Sequence, residues 1–220
     1  MLKCLTEVKK LKGAIFDVDG TLLDSMSMWY DLVIRFFEEH GGELTEEEVL
    51  RYKDMTLEES IPEITDRLNL NMTFDEILAC LKGMAADYYR NSVQLKDGAA
   101  EYIRKLHSEG VKIAIATSGY EELCKAAFTR LGVWDMIDAR AYSEEVGVNK
   151  SNPDVYLLAA KRLGLEPQDC TVYEDIIKGL NGAKKGGFHT CAVYDESNKD
   201  ETEELKEIAD SYITGWRELI

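Results

Sequence analysis

The sequence predicts an α/β protein of three layers, a parallel sheet between helices, with an all-helical segment inserted near its start. Three observations carry that expectation. Short apolar runs without polar alternation, at Ala14-Ile15-Phe16, Ile113 to Ala116, Thr171-Val172-Tyr173 and Thr190 to Val193, read as strands buried on both faces. Helical patterns follow most of them, as a parallel sheet requires. Residues 25–95 break this rhythm, offering helical stripes and no convincing strand.

Each element has its own signal. Gly98 to Glu109 puts Tyr102, Ile103 and Leu106 on one helical face and stops at Gly110, a residue suited to close a helix. Glu121 to Leu131, Pro153 to Leu163 and Gly179 to Lys185 behave likewise, and Pro153 suits a first helical turn. Ala139 to Tyr142 is a further possible strand. Within 25–95, Trp29, Val33, Phe36 and Phe37 form one stripe, and Ile77, Leu81 and Met84 another. The expected division is therefore a core of residues 1–24 and 96–220 and a helical cap of residues 25–95. The Glu-rich stretches 43–48 and 200–207 read as solvated helical faces.

Charge and cysteine usage narrow the classes. With 42 acidic against 26 basic residues, the 220-residue chain carries a net charge of -16, which disfavours nucleic acid or anionic lipid as partner. The five cysteines are scattered and form no CxxC; Cys170 and Cys191, beside strand-like runs, read as small core hydrophobes. That usage suits a reducing compartment. The opening MLKCLTEVKKLKG lacks the apolar core of a signal peptide, and no apolar run reaches membrane-span length. A cytoplasmic monomer is the expectation.

The chemistry begins at KGAIFDVDGTLLDS, residues 12–25, where an apolar strand runs into Asp17 and Asp19. Strand alternation would send both side chains to one side, and two carboxylates so close ask for a cation or a proton between them. Ligands in a parallel sheet bind beyond the carboxyl ends of its strands. Thr117-Ser118-Gly119 and Glu174-Asp175 sit at such ends, and Lys150 lies in the loop GVNKSNP. Asp17, Glu174 and Asp175 offer hard oxygen ligands that suit Mg²⁺. Thr117 with the Ser118 and Gly119 amides resembles an anion site, and Lys150 would offset phosphate charge as a mobile donor. Asp19 is left to move a proton. Together these are the parts of phosphoryl transfer. Singly, each has a plainer reading: Thr117-Ser118 and Glu174-Asp175 as helix caps, Lys150 as a solvated cation. His40, His107 and His189 show no spacing that suggests a metal or a triad.

Asp17-Val18-Asp19-Gly20-Thr21-Leu22, followed in order by Thr117-Ser118, Lys150 and Glu174-Asp175, resembles the haloacid dehalogenase superfamily, in its phosphatase and beta-phosphoglucomutase-like branch. The resemblance spans nearly the whole chain and implies a Rossmann-like core with a helical cap. It implies Asp17 as nucleophile and Mg²⁺ ligand, and Asp19 as general acid/base whose main-chain carbonyl also touches the metal. It implies Thr117, Ser118 and Lys150 around the phosphoryl group, and Glu174 with Asp175 completing the metal site. Dehalogenating members lack the second aspartate, so Asp19 favours phosphate chemistry. Two departures stand out: Asn149-Lys150-Ser151-Asn152-Pro153-Asp154 lacks the usual glycine and first proline, and Ile176 replaces the usual serine after Glu174-Asp175.

The expected activity is hydrolysis of a small phosphomonoester through an aspartyl-phosphate. A sugar phosphomutase is the alternative, but the family's histidine and cap arginine align with Trp29 and Leu57 here. A non-catalytic binding protein would be expected to have lost a catalytic group, and none is missing. Specificity is expected in the cap, around Arg51 to Glu59.

Overall fold

The computed structural model describes residues 11–53 and 57–220; of Trp29, Tyr30, Leu50, Lys53, Leu57 and Glu58 it describes the main chain alone. Cys4 and the N-terminal segment read above lie outside the described residues, as do the side chains of Trp29, Tyr30, Lys53 and Leu57.

The chain opens with β1 (Gly13–Phe16) and β2 (Leu23–Asp24), then four helices, α1 (Met26–Glu39), α2 (Glu46–Lys53), α3 (Leu57–Arg67) and α4 (Phe74–Asn91). After β3 (Gln94–Leu95) come α5 (Ala99–Ser108), β4 (Lys112–Thr117), α6 (Glu121–Arg130), β5 (Ala139–Tyr142), α7 (Ser143–Val146) and α8 (Asp154–Leu163). The chain closes with β6 (Cys170–Glu174), α9 (Ile177–Lys185), β7 (His189–Val193), α10 (Thr202–Ile208) and β8 (Ser211–Ile213).

Six strands make one parallel sheet in the order β5-β4-β1-β6-β7-β8. Every strand expected from its apolar run is present, and Ala14, Ile15, Phe16, Ile113, Ala114, Ile115 and Val172 are fully buried. Burial on both faces is why these runs are continuous rather than alternating. β1 is central: Phe16 pairs with Ile115 of β4 and with Tyr173 of β6. Asp17 and Glu174, one residue past those pairs, and Thr117, two past, therefore reach one edge of the sheet.

Three strands were not legible in the sequence. β8 adds three residues at a sheet edge, and β2 and β3 form a separate antiparallel pair through Leu23 and Leu95. Segments so short hold too few residues to establish a period of two. The β2–β3 pair stands where the chain leaves for α1 and returns from α4.

Among the helices between those strands, Val33, Phe36 and Phe37 of α1 and Ile77 and Leu81 of α4 are buried, and α1 packs on α4. These five residues belong to one buried cluster, as a shared helical face on each allows. Thr73 caps α4: its hydroxyl accepts from the Glu76 amide while the Glu76 carboxylate accepts from the Thr73 amide. α4 also packs against α6, joining the helical segment to the sheet-bearing core.

Below the central strands lies an aromatic cluster. Phe16 stacks on Tyr173 at 4.7 Å between ring centroids, and Tyr102 stacks on Trp216 at 5.4 Å. The Tyr102 and Tyr173 hydroxyls meet at 2.6 Å, and Trp216 Nε1 donates to the Thr21 carbonyl at 3.1 Å. The penultimate turn of the chain thus supports the loop that follows β1. Cys170 and Cys191 are buried among apolar neighbours, as expected, whereas Cys80 is exposed. His40, His107 and His189 are all exposed. No described helix is long and apolar enough to cross a membrane.

Candidate active site

β1 ends at Phe16, but its ladder continues one step further: the Asp17 amide donates to the Tyr173 carbonyl at 3.0 Å. The chain then turns sharply, with the Leu22 and Leu23 amides both donating to the Val18 carbonyl. Gly20 sits in this turn at φ 82°, a left-handed backbone that favours glycine. Any side chain there would also collide with the Asp175 carboxylate. Thr21 Oγ1 donates to Asp175 Oδ1 at 2.8 Å, tying the loop after β1 to the loop after β6. The carboxylates of Asp17 and Asp19 take different partners.

Asp17, Glu174 and Asp175 come together, with one oxygen of each lying within 4.8 Å of the others. Lys150 ion-pairs with both Asp17 and Glu174. The lysine is thus not the mobile donor expected from the sequence: it is buried and pinned between two acids. Burial opposes its charge, but the Asp17 and Glu174 carboxylates outweigh that and hold it above the ordinary lysine range. Tyr156 donates to Glu174 Oε1 at 2.7 Å, and Asn198 Nδ2 donates to Asp175 Oδ2 at 3.0 Å. Glu174 Oε2 is buried with no hydrogen-bond partner. Three carboxylates against one ammonium leave two negative charges unbalanced in a buried space. Burial, first, and then the Asp17 and Glu174 charges drive the Asp175 carboxyl well above its usual range. Burial likewise pushes Glu174 up to about 7, Lys150 opposing and Asp17 assisting. A buried carboxylate excess of this kind demands protons or a hard cation.

Two glycines of α9 make the approach possible. A methyl group on Gly179 would run into the Glu174 carboxylate, and one on Gly182 into the Lys150 carbonyl. These residues are three apart and so share one helical face, which lies directly against the cluster.

Asp19 is half-buried. Its Oδ1 accepts from Ser25 Oγ at 2.6 Å and from the Tyr89 hydroxyl of α4. A Cβ built on Gly119 would stand 3.2 Å from both Asp19 Oδ2 and Thr117 Oγ1, so those two oxygens border the same space. Thr117 is buried, whereas Ser118 is exposed and meets Ser143 Oγ at 3.1 Å. The Gly119 amide donates to Thr117 Oγ1 at 2.9 Å, and α6 opens only at Glu121.

The structure therefore gathers Asp17, Lys150, Glu174 and Asp175 into contact and brings Asp19 and Thr117 to the same space over Gly119. Sequence reasoning passed over Thr21, Ser25, Tyr89, Tyr156, Asn198 and the two α9 glycines. A signal existed for Thr21 in its adjacency to the two aspartates, and for the glycines in the spacing Gly179-Leu180-Asn181-Gly182. None existed for Tyr89, Tyr156 or Asn198, whose surroundings in the chain are ordinary helix or loop. In α2, Arg51 pairs with Glu63 and lies 5.2 Å from the Tyr52 ring centroid.

Comparison with known proteins gives the family. The sequence model of the haloacid dehalogenase-like hydrolases matches residues 14–193, and the chain belongs to that family. A phosphorylated carbohydrates phosphatase of Thermotoga maritima is 24% identical over 178 residues, covering 81% of this chain and 82% of its own length. Hexitol phosphatase A of Escherichia coli is 29% identical over 193 residues, covering 84% of this chain and 83% of its own. Among solved structures, CbbY of Rhodobacter sphaeroides in complex with phosphate shares the fold at TM-score 0.79 and 24% identity, covering 95% of this chain and 96% of that one.

Proposed function

We propose that the protein is a Mg²⁺-dependent phosphatase that releases phosphate from a small phosphomonoester through an aspartyl-phosphate on Asp17. The observation that carries this reading is the position of Asp17, whose carboxylate belongs to the acidic cluster and is ion-paired to Lys150. A nucleophile held beside a fixed ammonium and a metal-competent cluster is what in-line attack on a phosphate dianion needs. The names of the related phosphatases favour a phosphorylated sugar or sugar alcohol as substrate.

The donor set fits a hard divalent cation: every ligand is a carboxylate oxygen, and Glu174 Oε2 is buried without a partner. Asp17, Glu174 and Asp175 would hold the ion, with the Asp19 main-chain carbonyl that the family resemblance adds. When bound, it supplies charge neutralisation for the phosphoryl oxygens.

The chain's own residues then divide the work. Lys150 and Thr117 hold the phosphoryl group, with Ser118 at the exposed rim. Asp17 attacks phosphorus and the P–O ester bond breaks, its electron pair staying on the departing oxygen. Asp19 gives that oxygen a proton, then takes one from the water that hydrolyses the aspartyl-phosphate. Residues 25–95 act as a cap over residues 1–24 and 96–220, and excluding bulk water is its task. The mutase alternative is not preferred, because the matched relatives named here are phosphatases. A cytoplasmic monomer remains part of this reading.

The test is phosphate release from a panel of sugar and polyol phosphates with and without Mg²⁺, with Asp17→Asn as control. Mg²⁺-dependent turnover that vanishes in a folded Asp17→Asn protein supports the proposal. Activity near wild type in that variant would remove Asp17 from the mechanism.

A further inference from the structure

We propose that Tyr89 is a positioning residue for the acid/base step, holding Oδ1 of Asp19 so that Oδ2 is the oxygen that carries the proton. The inference rests on the phosphatase reading above but assigns a residue and an atom that the reading does not.

Asp19 Oδ1 accepts from two hydroxyls, Ser25 Oγ at 2.6 Å and Tyr89. Two donors on one carboxylate oxygen stabilise negative charge there and fix the carboxyl plane. The proton is then carried on the other oxygen. Oδ2 is also the better placed: it borders the space over Gly119 that Thr117 Oγ1 lines from the other side. A leaving oxygen on a phosphoryl group held by Thr117 would meet Oδ2, not Oδ1.

Tyr89 is itself held from several directions. It is 1% exposed and stands on α4, whose C-terminal end is gripped by Arg130 of α6, donating to the Val93 carbonyl. Lys82 lies seven residues before Tyr89, hence on the same helical face, with its ammonium 3.8 Å from the Tyr120 ring centroid. Tyr120 directly follows the Thr117-Ser118-Gly119 loop. One face of α4 therefore spans from that loop to Asp19, and the Tyr89 ring needs no rearrangement to keep its hydroxyl in place.

The step in question forms the Asp17–phosphorus bond and breaks the ester P–O bond, with the proton passing from Asp19 Oδ2 to the departing oxygen. A poor leaving group, an alkoxide, depends on that proton; a good one, p-nitrophenolate, departs without it. Misorienting Asp19 must therefore slow the transfer step, which kcat/KM reports, selectively for alkyl esters. General damage to the fold slows that step for both kinds alike, and hydrolysis of the aspartyl-phosphate, common to both, enters kcat alone.

The experiment measures kcat and KM for an alkyl phosphate, such as a hexitol phosphate, and for p-nitrophenyl phosphate, in wild type, Tyr89→Phe and Ser25→Ala. Thermal unfolding midpoints serve as the check on folding. The expected result is a fall of about tenfold in kcat/KM on the alkyl ester, a part of the roughly 10²–10⁴ that a general acid supplies. On the aryl ester kcat/KM should change less than about twofold. Ser25→Ala should show the same selectivity, since it removes the other donor to Oδ1. Parallel losses of kcat/KM on both esters, or no loss on either, would overturn the role of Tyr89 while leaving the phosphatase reading intact. A wild type inert towards both esters overturns that reading and the proposal with it.

Discussion

Thr21 Oγ1 donates a 2.8 Å hydrogen bond to Asp175 Oδ1, across 154 residues of sequence and between two adjacent strand ends. The bond occupies one oxygen of a buried carboxylate and so fixes which way the other points. Its loss should be felt by whatever ion the carboxylate holds. Thr21→Val keeps the shape and deletes the donor. It should weaken Mg²⁺ binding by roughly tenfold, at the low end of what loss of such an orienting partner costs. Calorimetric titration of the folded variant measures this directly; unchanged affinity would mean that Asn198 alone orients Asp175.

Lys150 compensates Asp17 and Glu174, so removing it strands two buried negative charges. Lys150→Met should destabilise the metal-free protein by about 3–5 kcal/mol, the usual cost of breaking a buried pair from one side. Mg²⁺ should recover more stability in the variant than in wild type, because the ion substitutes for part of the lost charge. Urea unfolding in EDTA and in excess Mg²⁺ checks both statements.

The pH dependence of the metal-free protein follows from Glu174, which burial raises from 4.5 to about 7. The folded state then binds more protons than the unfolded state between those values, so this group's contribution to stability falls as pH rises through that window. Excess Mg²⁺ should reverse the trend, since the ion binds the ionised carboxylate and proton release accompanies binding. The comparison is wild type against Glu174→Gln, unfolded in urea across that range with EDTA or Mg²⁺. A metal-free difference that grows in favour of wild type with rising pH would contradict the sign.

Gly182 is where α9 touches the loop carrying Lys150, with no room for a methyl group above the Lys150 carbonyl. Gly182→Ala should cost about 1–3 kcal/mol by overpacking, despite alanine's better helix propensity. Because the strain falls on the Lys150 loop, kcat should drop with it. Gly83, in α4 with nothing within 4 Å of an added Cβ, is the control: there alanine should stabilise slightly.

How much of this could be read from the chain itself is clearest at particular residues. The continuous apolar runs before Asp17, Thr117 and Glu174 announced a parallel sheet, because only strands covered on both faces tolerate them. The order of the acidic, hydroxyl and lysine motifs then announced the chemistry. One local reading went astray for a local reason. Lys150 is buried rather than mobile because α9 presents glycines where side chains would have kept it away.

The sequence alone therefore determined the layer architecture, the helical interruption and the set of charged and hydroxyl groups at the strand ends. Those follow from hydrophobic period and residue type, which are properties of neighbours in the chain. Tertiary structure decided which groups support them: Tyr89 reaches Asp19 across 70 residues, Tyr156 reaches Glu174 across 18, and Asn198 reaches Asp175 across 23. A tyrosine on a helix carries no mark of what its hydroxyl will meet. That depends on the path of every element between, and on packing that leaves each buried carboxylate only the donors within reach.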